Sequence, residues 1–148
     1  VLASDRPKID IGAIFLFTAS HYYPIGNGTL GSSIKWENIT GEVPVFMLPT
    51  LDGVYQARGV KKGRYRANIN GTAQLELRQK LFWRIWGAAY TEMASVSNTL
   101  DTFGNEKIPL FGGGLRYELN SEQHDHVRVD LSYVENKIGL VVYVNEAF

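Results

Sequence analysis

Cysteine is absent from these 148 residues, which excludes a disulfide framework and any metal site built on thiolates. The 15 basic and 15 acidic residues balance, so the chain lacks the basic excess of a nucleic-acid-binding protein. The longest apolar cluster, residues 9–19, is interrupted by Asp10, Gly12 and Thr18, and falls short of the roughly 18 apolar residues of a transmembrane helix. Residues 1–3 lack the basic start of a signal peptide, so we expect a mature form or a fragment.

Motifs for catalysis and metal binding are also missing. No serine lies in a Gly-x-Ser-x-Gly context, and Gly112-Gly113-Gly114 lacks the Lys-Ser/Thr and the helix of a phosphate loop. Glycines inside a strand more often mark a bend or close packing. Of His21, His124 and His126, the last two flank Asp125, and two histidines make a poor zinc site without a third ligand. We therefore predict no enzyme activity, no bound metal and no cofactor.

Alternation of apolar and polar residues is the main pattern that is present. It is clearest between Val127 and Tyr133, where odd-numbered residues are apolar and even-numbered residues are polar. In a soluble sandwich the apolar face would form the core, whereas in a membrane barrel it would face lipid. The alternation predicts an all-β fold and leaves both of these interpretations open.

The length of the predicted strands favours a membrane barrel. Most of them run about 11–14 residues, whereas a soluble strand typically has about 5–6 and a tilted membrane strand needs about 9–11. We predict seven strands, at 8–23, 29–40, 68–80, 84–97, 109–120, 125–135 and 138–148.

The connections between these strands differ in length, and their order suggests an orientation. Those near 24–28, 82–83, 120–124 and 136 are short, and those at 41–67 and 98–108 are long. Outer-membrane barrels keep short turns in the periplasm and longer loops outside, which places Phe148 on the periplasmic side. Bacterial single-chain barrels have even strand numbers, and open edges are not tolerated in lipid. Seven strands therefore indicate either that one strand escapes the prediction or that the chain is the C-terminal part of a larger barrel, and we favour the second interpretation.

Two segments carry a resemblance to a known family. The long connection contains Ala57-Arg58-Gly59-Val60 followed by Gly63-Arg64-Tyr65-Arg66, and the chain ends with Lys137–Val144 and a terminal Phe148. Together they resemble the BamA/TamA-type outer-membrane assembly superfamily, the bacterial surface antigens, over about residues 30–148. The resemblance implies a transmembrane antiparallel β-barrel, of which residues 1–148 are the C-terminal portion, with the loop at about 41–67 folded into the lumen.

In this family the tip of the loop is locked to the barrel wall. The resemblance assigns the tip to Arg58, Gly59 and Val60, and the acidic residues that hold the arginine to Glu76 and Glu92. An arginine in a lumen can form bidentate, charge-assisted bonds with such carboxylates. The competing interpretation is a set of solvated lumen charges without particular partners. Two departures, Val60 for a usual Phe or Tyr and Asp52 for a usual Gly, imply looser packing of the tip.

The last predicted strand has the form of the β-signal that the assembly machinery of these barrels recognises. That form is a polar residue, a glycine two positions later and two hydrophobic residues separated by one, ahead of a terminal aromatic. In this chain the positions are Lys137, Gly139, Val142, Val144 and Phe148. Placed in a barrel wall, Val142, Val144 and Phe148 would face lipid and Gly139 would face the lumen.

The function implied by the resemblance is insertion of outer-membrane proteins or translocation of polypeptides, in the bacterial outer membrane. Its partners would be outer-membrane lipid, client outer-membrane or secreted polypeptides and accessory assembly proteins, without nucleic acid. One alternative is a barrel that serves as a pore, an anchor or a secretion module for a fused or partner domain. A more distant alternative is a soluble β-barrel that binds an apolar ligand, with Arg128, Asp130 and Glu76 facing water.

Overall fold

One antiparallel sheet of seven strands dominates the computed structural model, which describes residues 10–51, 57–120 and 125–144. Between the second and third strands of this sheet lie a 3-10 turn (Val45–Met47) and the paired short strands β3 (Thr50–Leu51) and β4 (Tyr65–Arg66). The strands of the large sheet are β1 (Asp10–Ile25), β2 (Gly28–Glu42), β5 (Ile69–Phe82), β6 (Ile85–Ser97), β7 (Lys107–Asn120), β8 (Asp125–Val134) and β9 (Lys137–Val144).

Each strand of the large sheet pairs with the next one along the chain, in the order β1-β2-β5-β6-β7-β8-β9. Within the part of the chain that the structure describes, β1 and β9 form the two edges. The predicted all-β architecture and its seven antiparallel strands are confirmed. The short pair β3–β4 was not predicted, because two-residue strands leave no periodic pattern in a sequence.

A two-residue turn joins β8 to β9. Glu135 and Asn136 both have positive φ angles, 48° and 60°, as the central residues of a type I′ turn require. This turn matches the right-handed twist of paired strands and therefore keeps the two strands in close register. The φ angle of Glu135 is unusual, because few residues other than Gly, Asn and Asp adopt it.

The two faces of the sheet have opposite chemistry, because side chains alternate along each strand. The inner face, defined as the face on which the tip of the long loop (residues 43–68) packs, carries charged side chains including Glu76 and Asp130, which are 1% and 0% exposed. The outer face carries large apolar side chains that are 40–64% exposed, among them Leu75, Leu77, Phe111, Leu115, Leu131 and Leu140.

An apolar core joins the long loop to the inner face. From the loop it takes Leu51, Ala57, Val60 and Ala67, and from the sheet it takes Tyr90, Ala94, Val96, Ile108, Leu110 and Val134. These sheet residues lie toward the end of the strands from which the long loop emerges. The core therefore attaches the loop to the inner face of the sheet.

The connection between β6 and β7 covers the outer face at the same end of the sheet. A Cβ atom added to Gly71 would lie 2.5 Å from Cζ of Phe103. The Gly104 amide donates a hydrogen bond of 3.0 Å to Oγ of Ser95, which is the cross-strand partner of Gly71. The exposed apolar part of the outer face therefore ends where this connection covers the sheet.

Candidate functional site

Arg58 at the tip of the long loop is the centre of a buried charged cluster. Its side chain is 0% exposed. Its Nη2 lies 2.5 Å from Oε2 of Glu76, and its Nη1 lies 3.5 Å from Oδ2 of Asp130. Its guanidinium carbon is also 4.2 Å from the centre of the Tyr90 ring, a cation–π distance. The tip thus touches β5, β6 and β8 through a single side chain.

Glu76 on β5 receives three guanidinium groups. Besides Arg58, Nε of Arg78 lies 2.5 Å from its Oε1, and Nη2 of Arg116 lies 2.9 Å from the same atom. A carboxylate can accept several such charge-assisted bonds, and its burial strengthens each of them. Glu76 therefore connects the loop to β5 and β7 at one point.

Asp130 on β8 belongs to the same charged cluster, although the sequence did not predict it there. Its Oδ2 lies 3.1 Å from Nε of Arg128, and it also faces Arg58. The alternation around residue 130 placed this aspartate on the polar face. However, Asp130 comes 72 positions after Arg58 in the chain, and no local pattern predicts a contact at that distance.

Glu92 on β6 contacts the tip through the backbone. Its Oε1 accepts a hydrogen bond of 2.5 Å from the amide of Ala57. The turn that follows is tight: the Val60 amide donates to the Ala57 carbonyl at 2.9 Å, and Ala57 and Gly59 have φ angles of 49° and 89°. Glu92 thus holds the backbone of the turn that presents Arg58, while Glu76 and Asp130 hold its guanidinium.

Val60 is also part of the site, although it does not touch a charge. It is 5% exposed and belongs to the apolar core. A β-branched residue here fills space between the loop and the sheet. Asp52, the second departure from the family pattern, lies outside the described residues.

Two of the three consecutive glycines of β7 make room for this cluster. Gly112 pairs with Tyr90, and a Cβ atom at Gly112 would lie 2.6 Å from the Tyr90 hydroxyl oxygen. A Cβ atom at Gly114 would collide with the Asp130 carboxylate. Close packing therefore explains the glycines at positions 112 and 114.

The residues assigned to the β-signal lie on β9. Val142 and Val144 are on the outer face and are 61% and 58% exposed. Lys137 is the first residue of the strand. Gly139 is on the inner face, where a Cβ atom would lie 2.7 Å from the Cα atom of Gly59. Phe148 lies outside the described residues.

A second contact holds the loop where it returns to the sheet. Nη1 of Arg64 lies 2.5 Å from Oε2 of Glu135, and the Tyr65 hydroxyl donates a hydrogen bond to Oε1 of the same glutamate. Burial raises the pKa of Tyr65, and the hydrogen bond to Glu135 raises this pKa further. The turn between β8 and β9 therefore carries a specific ion pair and hydrogen bond to the loop.

Residues 10–51, 57–120 and 125–144 contain no group of three His, Asp or Glu side chains that could hold a metal ion. Among the described residues, no helix has the length and the apolar character needed to cross a membrane. His124 lies outside the described residues.

Comparison with known proteins identifies no relative. The chain matches no family model, no curated protein and no solved structure. Any functional conclusion therefore depends on the geometry of the sheet and of the Arg58 cluster.

Proposed function

We propose that this chain forms part of the wall of a bacterial outer-membrane β-barrel and takes part in inserting outer-membrane proteins or translocating polypeptides. One observation carries the proposal. The tip of a long loop, with the sequence Arg58-Gly59-Val60, lies on a charged inner face, while the opposite face of the same sheet exposes large apolar side chains. An outer-membrane barrel with a loop folded into its lumen has this combination.

Lipid is the occupant that suits the outer face. Leaving an apolar side chain in water forgoes about 1.5–3 kcal/mol of burial free energy. Aromatic pairs lie near both ends of the exposed apolar region: Trp83 with Tyr117 at 6.0 Å, and Phe111 with Tyr133 at 5.2 Å. Tyr117 and Phe111 are six positions apart, about 20 Å along β7. Aromatic residues at both ends of an apolar region are typical of the girdles that flank the apolar band of outer-membrane barrels.

The proposed mechanism is physical and uses the edges of the sheet. Unpaired backbone groups are costly in lipid, so β1 and β9 require partner strands there. A weak seam along β9 would let a client strand pair by β-augmentation. The Arg58 cluster would brace β5, β6 and β8 against the strain of that opening, because it ties all three to one loop.

The arrangement of charges disfavours the soluble binder. Such a protein would line its interior with the apolar face and turn the charged face toward water. Here the charged face is the buried one, with Arg58, Glu76 and Asp130 at 1% exposure or less, and the apolar face is exposed. A pore, anchor or secretion module would have the same barrel wall. Only a measurement of activity therefore distinguishes it from an assembly or translocation barrel.

Two measurements test the proposal. The protein is expressed in a Gram-negative host, and its membranes are washed with urea and carbonate; we expect it to stay in the membrane and to shift on gels after heating. The rate of client-barrel assembly is then compared between wild type, Arg58→Ala and the control Lys62→Ala, which removes an exposed charge from the same loop. We expect Arg58→Ala to slow assembly and Lys62→Ala to leave it unchanged.

Each unfavourable result has its own meaning. Recovery of the protein in solution without detergent would overturn the membrane assignment. A membrane-bound protein whose Arg58→Ala variant assembles clients at the wild-type rate would overturn the role of the locked loop. Conductance in planar bilayers without any effect on client assembly would support the pore.

A further inference from the structure

The last hairpin of the sheet contacts the long loop at three levels. This closing hairpin consists of β8, β9 and the turn between them. At the deepest level Asp130 faces Arg58, 3.5 Å away. At the middle level Gly139 and Ser132 enclose Gly59. The third level is the turn itself, where Glu135 binds the returning arm of the loop.

The middle contact brings two backbones together. A Cβ atom at Gly139 would lie 2.7 Å from Cα and 3.3 Å from O of Gly59, and 3.2 Å from Oγ of Ser132. A Cβ atom at Gly59 would in turn collide with the Ser132 hydroxyl, and its φ angle of 89° already favours glycine. Backbone atoms cannot rotate away as a flexible side chain can. This contact therefore requires glycine at both positions, 59 and 139.

The turn contact is also specific. Glu135 has a φ angle of 48°, a conformation that a residue with a long side chain rarely adopts. Its carboxylate meets both Arg64 and Tyr65. The Glu135 side chain of the turn thus points at the loop, where a guanidinium group and a hydroxyl group bind its carboxylate.

We propose that the closing hairpin positions the tip of the loop, so that Arg58 reaches Glu76 and Asp130 only when β9 is seated on β8. Gly139 is then a positioning residue that acts through Gly59. Only the consequence of this inference rests on the proposed function. If β9 borders the seam, the tip of the loop changes its position when β9 leaves β8. The coupling is reciprocal, because two linked equilibria change each other by the same factor.

A competing arrangement makes the opposite prediction. The apolar core also holds the loop, mainly through β6 and β7 residues such as Ala94, Val96 and Ile108. If this core alone fixed the tip, a change at Gly139 would leave the tip closed. Protection of the loop from protease distinguishes the two arrangements.

Trypsin digestion of the folded, membrane-embedded protein supplies the test. The loop offers cleavage sites at Arg58, Lys61, Lys62, Arg64 and Arg66. Gly139→Ala is compared with the matched control Gly87→Ala, whose added Cβ atom meets only the flexible Leu81 side chain at 3.3–3.5 Å. We expect cleavage in the loop to accelerate by about tenfold or more in Gly139→Ala, because overpacking favours the open tip. We expect the control to behave as wild type.

Ser132→Val keeps the test decisive if Gly139→Ala does not assemble. It enlarges the same contact from β8 and leaves the sequence of β9 unchanged. We expect it to accelerate cleavage in the same way. Wild-type protection of the loop in the folded form of either variant would overturn the proposal.

Hydrogen exchange measures the reciprocal effect. Arg58→Ala should accelerate exchange of the β9 amides relative to Lys62→Ala, while amides in the middle of β5–β6 change less. Equal exchange of β9 in the two variants would also overturn the coupling. Both readouts use the folded barrel and require no client. A negative result here with normal client assembly would therefore reject the coupling alone, whereas loss of membrane association would reject the proposed function.

Discussion

Gly112 on β7 lies directly opposite Tyr90 on β6, and the Tyr90 ring occupies the space that a side chain at position 112 would need. The Tyr90 hydroxyl reaches across β7 to donate a hydrogen bond of 3.4 Å to the Leu131 carbonyl. The face of the same ring supports the guanidinium of Arg58. Gly112 on β7 thus leaves room for the Tyr90 ring, which in turn contacts the guanidinium group of Arg58.

Gly112→Ala should destabilise the folded protein by about 1–3 kcal/mol, the usual cost of overpacking. The added methyl group would collide with the Leu131 carbonyl oxygen and with the Tyr90 side chain, and so disturb the support under Arg58. Urea unfolding in lipid or detergent measures the effect, and Gly87→Ala is the control with room for its Cβ atom. Equal midpoints for the two variants would show that the Tyr90 position is not constrained by Gly112.

Glu76→Gln should cost about 3–5 kcal/mol, because it removes the charge that compensates the buried guanidinium groups of Arg58 and Arg116 and the partly buried one of Arg78. Glu37→Gln is the matched control. Glu37 pairs with Lys35 at 2.8 Å, but its side chain is 26% exposed, and an ion pair open to solvent contributes only about 0–1 kcal/mol. Denaturant unfolding of both variants checks the difference. Similar losses would mean that water screens the Glu76 cluster as well.

Tyr65 should make stability depend on alkaline pH. Its folded-state pKa is raised above the ordinary value of 10.0, so its protonated form is favoured by folding. This contribution is fully present below pH 10 and is lost as the pH rises through the higher folded-state pKa. The wild type should therefore lose more stability than Tyr65→Phe above pH 10. Unfolding midpoints of both proteins between pH 8 and about 11 measure the difference, and parallel curves would contradict it.

Leu131→Lys should impair folding into lipid vesicles if the outer face meets the membrane. A lysine near the bilayer midplane costs about 2–4 kcal/mol, whereas an exposed substitution in water usually stays within about 0.5 kcal/mol. Leu100→Lys is the control, because Leu100 is 64% exposed in the connection between β6 and β7. If both variants fold into vesicles as well as wild type, the outer face does not contact lipid around Leu131.

The strands were largely predictable from the sequence, because alternation is a local property. The pattern from Val127 to Tyr133 predicted the two faces of β8, and burial in the structure follows it. The boundaries differ by a few residues, as at β7, which begins at Lys107 and was predicted from residue 109. The residue at which a strand ends depends on its pairing with the neighbouring strand. The alternation within one strand does not predict that pairing.

The site was predictable only in part. Arg58, Glu76 and Glu92 were assigned through a resemblance, and the structure brings all three to the tip of the loop, with Glu92 on the backbone of Ala57. Asp130 was not assigned. A carboxylate on a polar face has many available partners, and sequence spacing does not select one of them.

The sequence by itself determined an all-β chain, the length and alternation of its strands, and the two faces that alternation creates. The tertiary structure decided which face is buried, how far the long loop reaches, and that the closing hairpin meets it at Asp130, Gly139 and Glu135. The physical reason is distance along the chain. Alternation arises from the geometry of neighbouring residues, whereas contacts across more than 70 positions exist only after every intervening strand has paired in register.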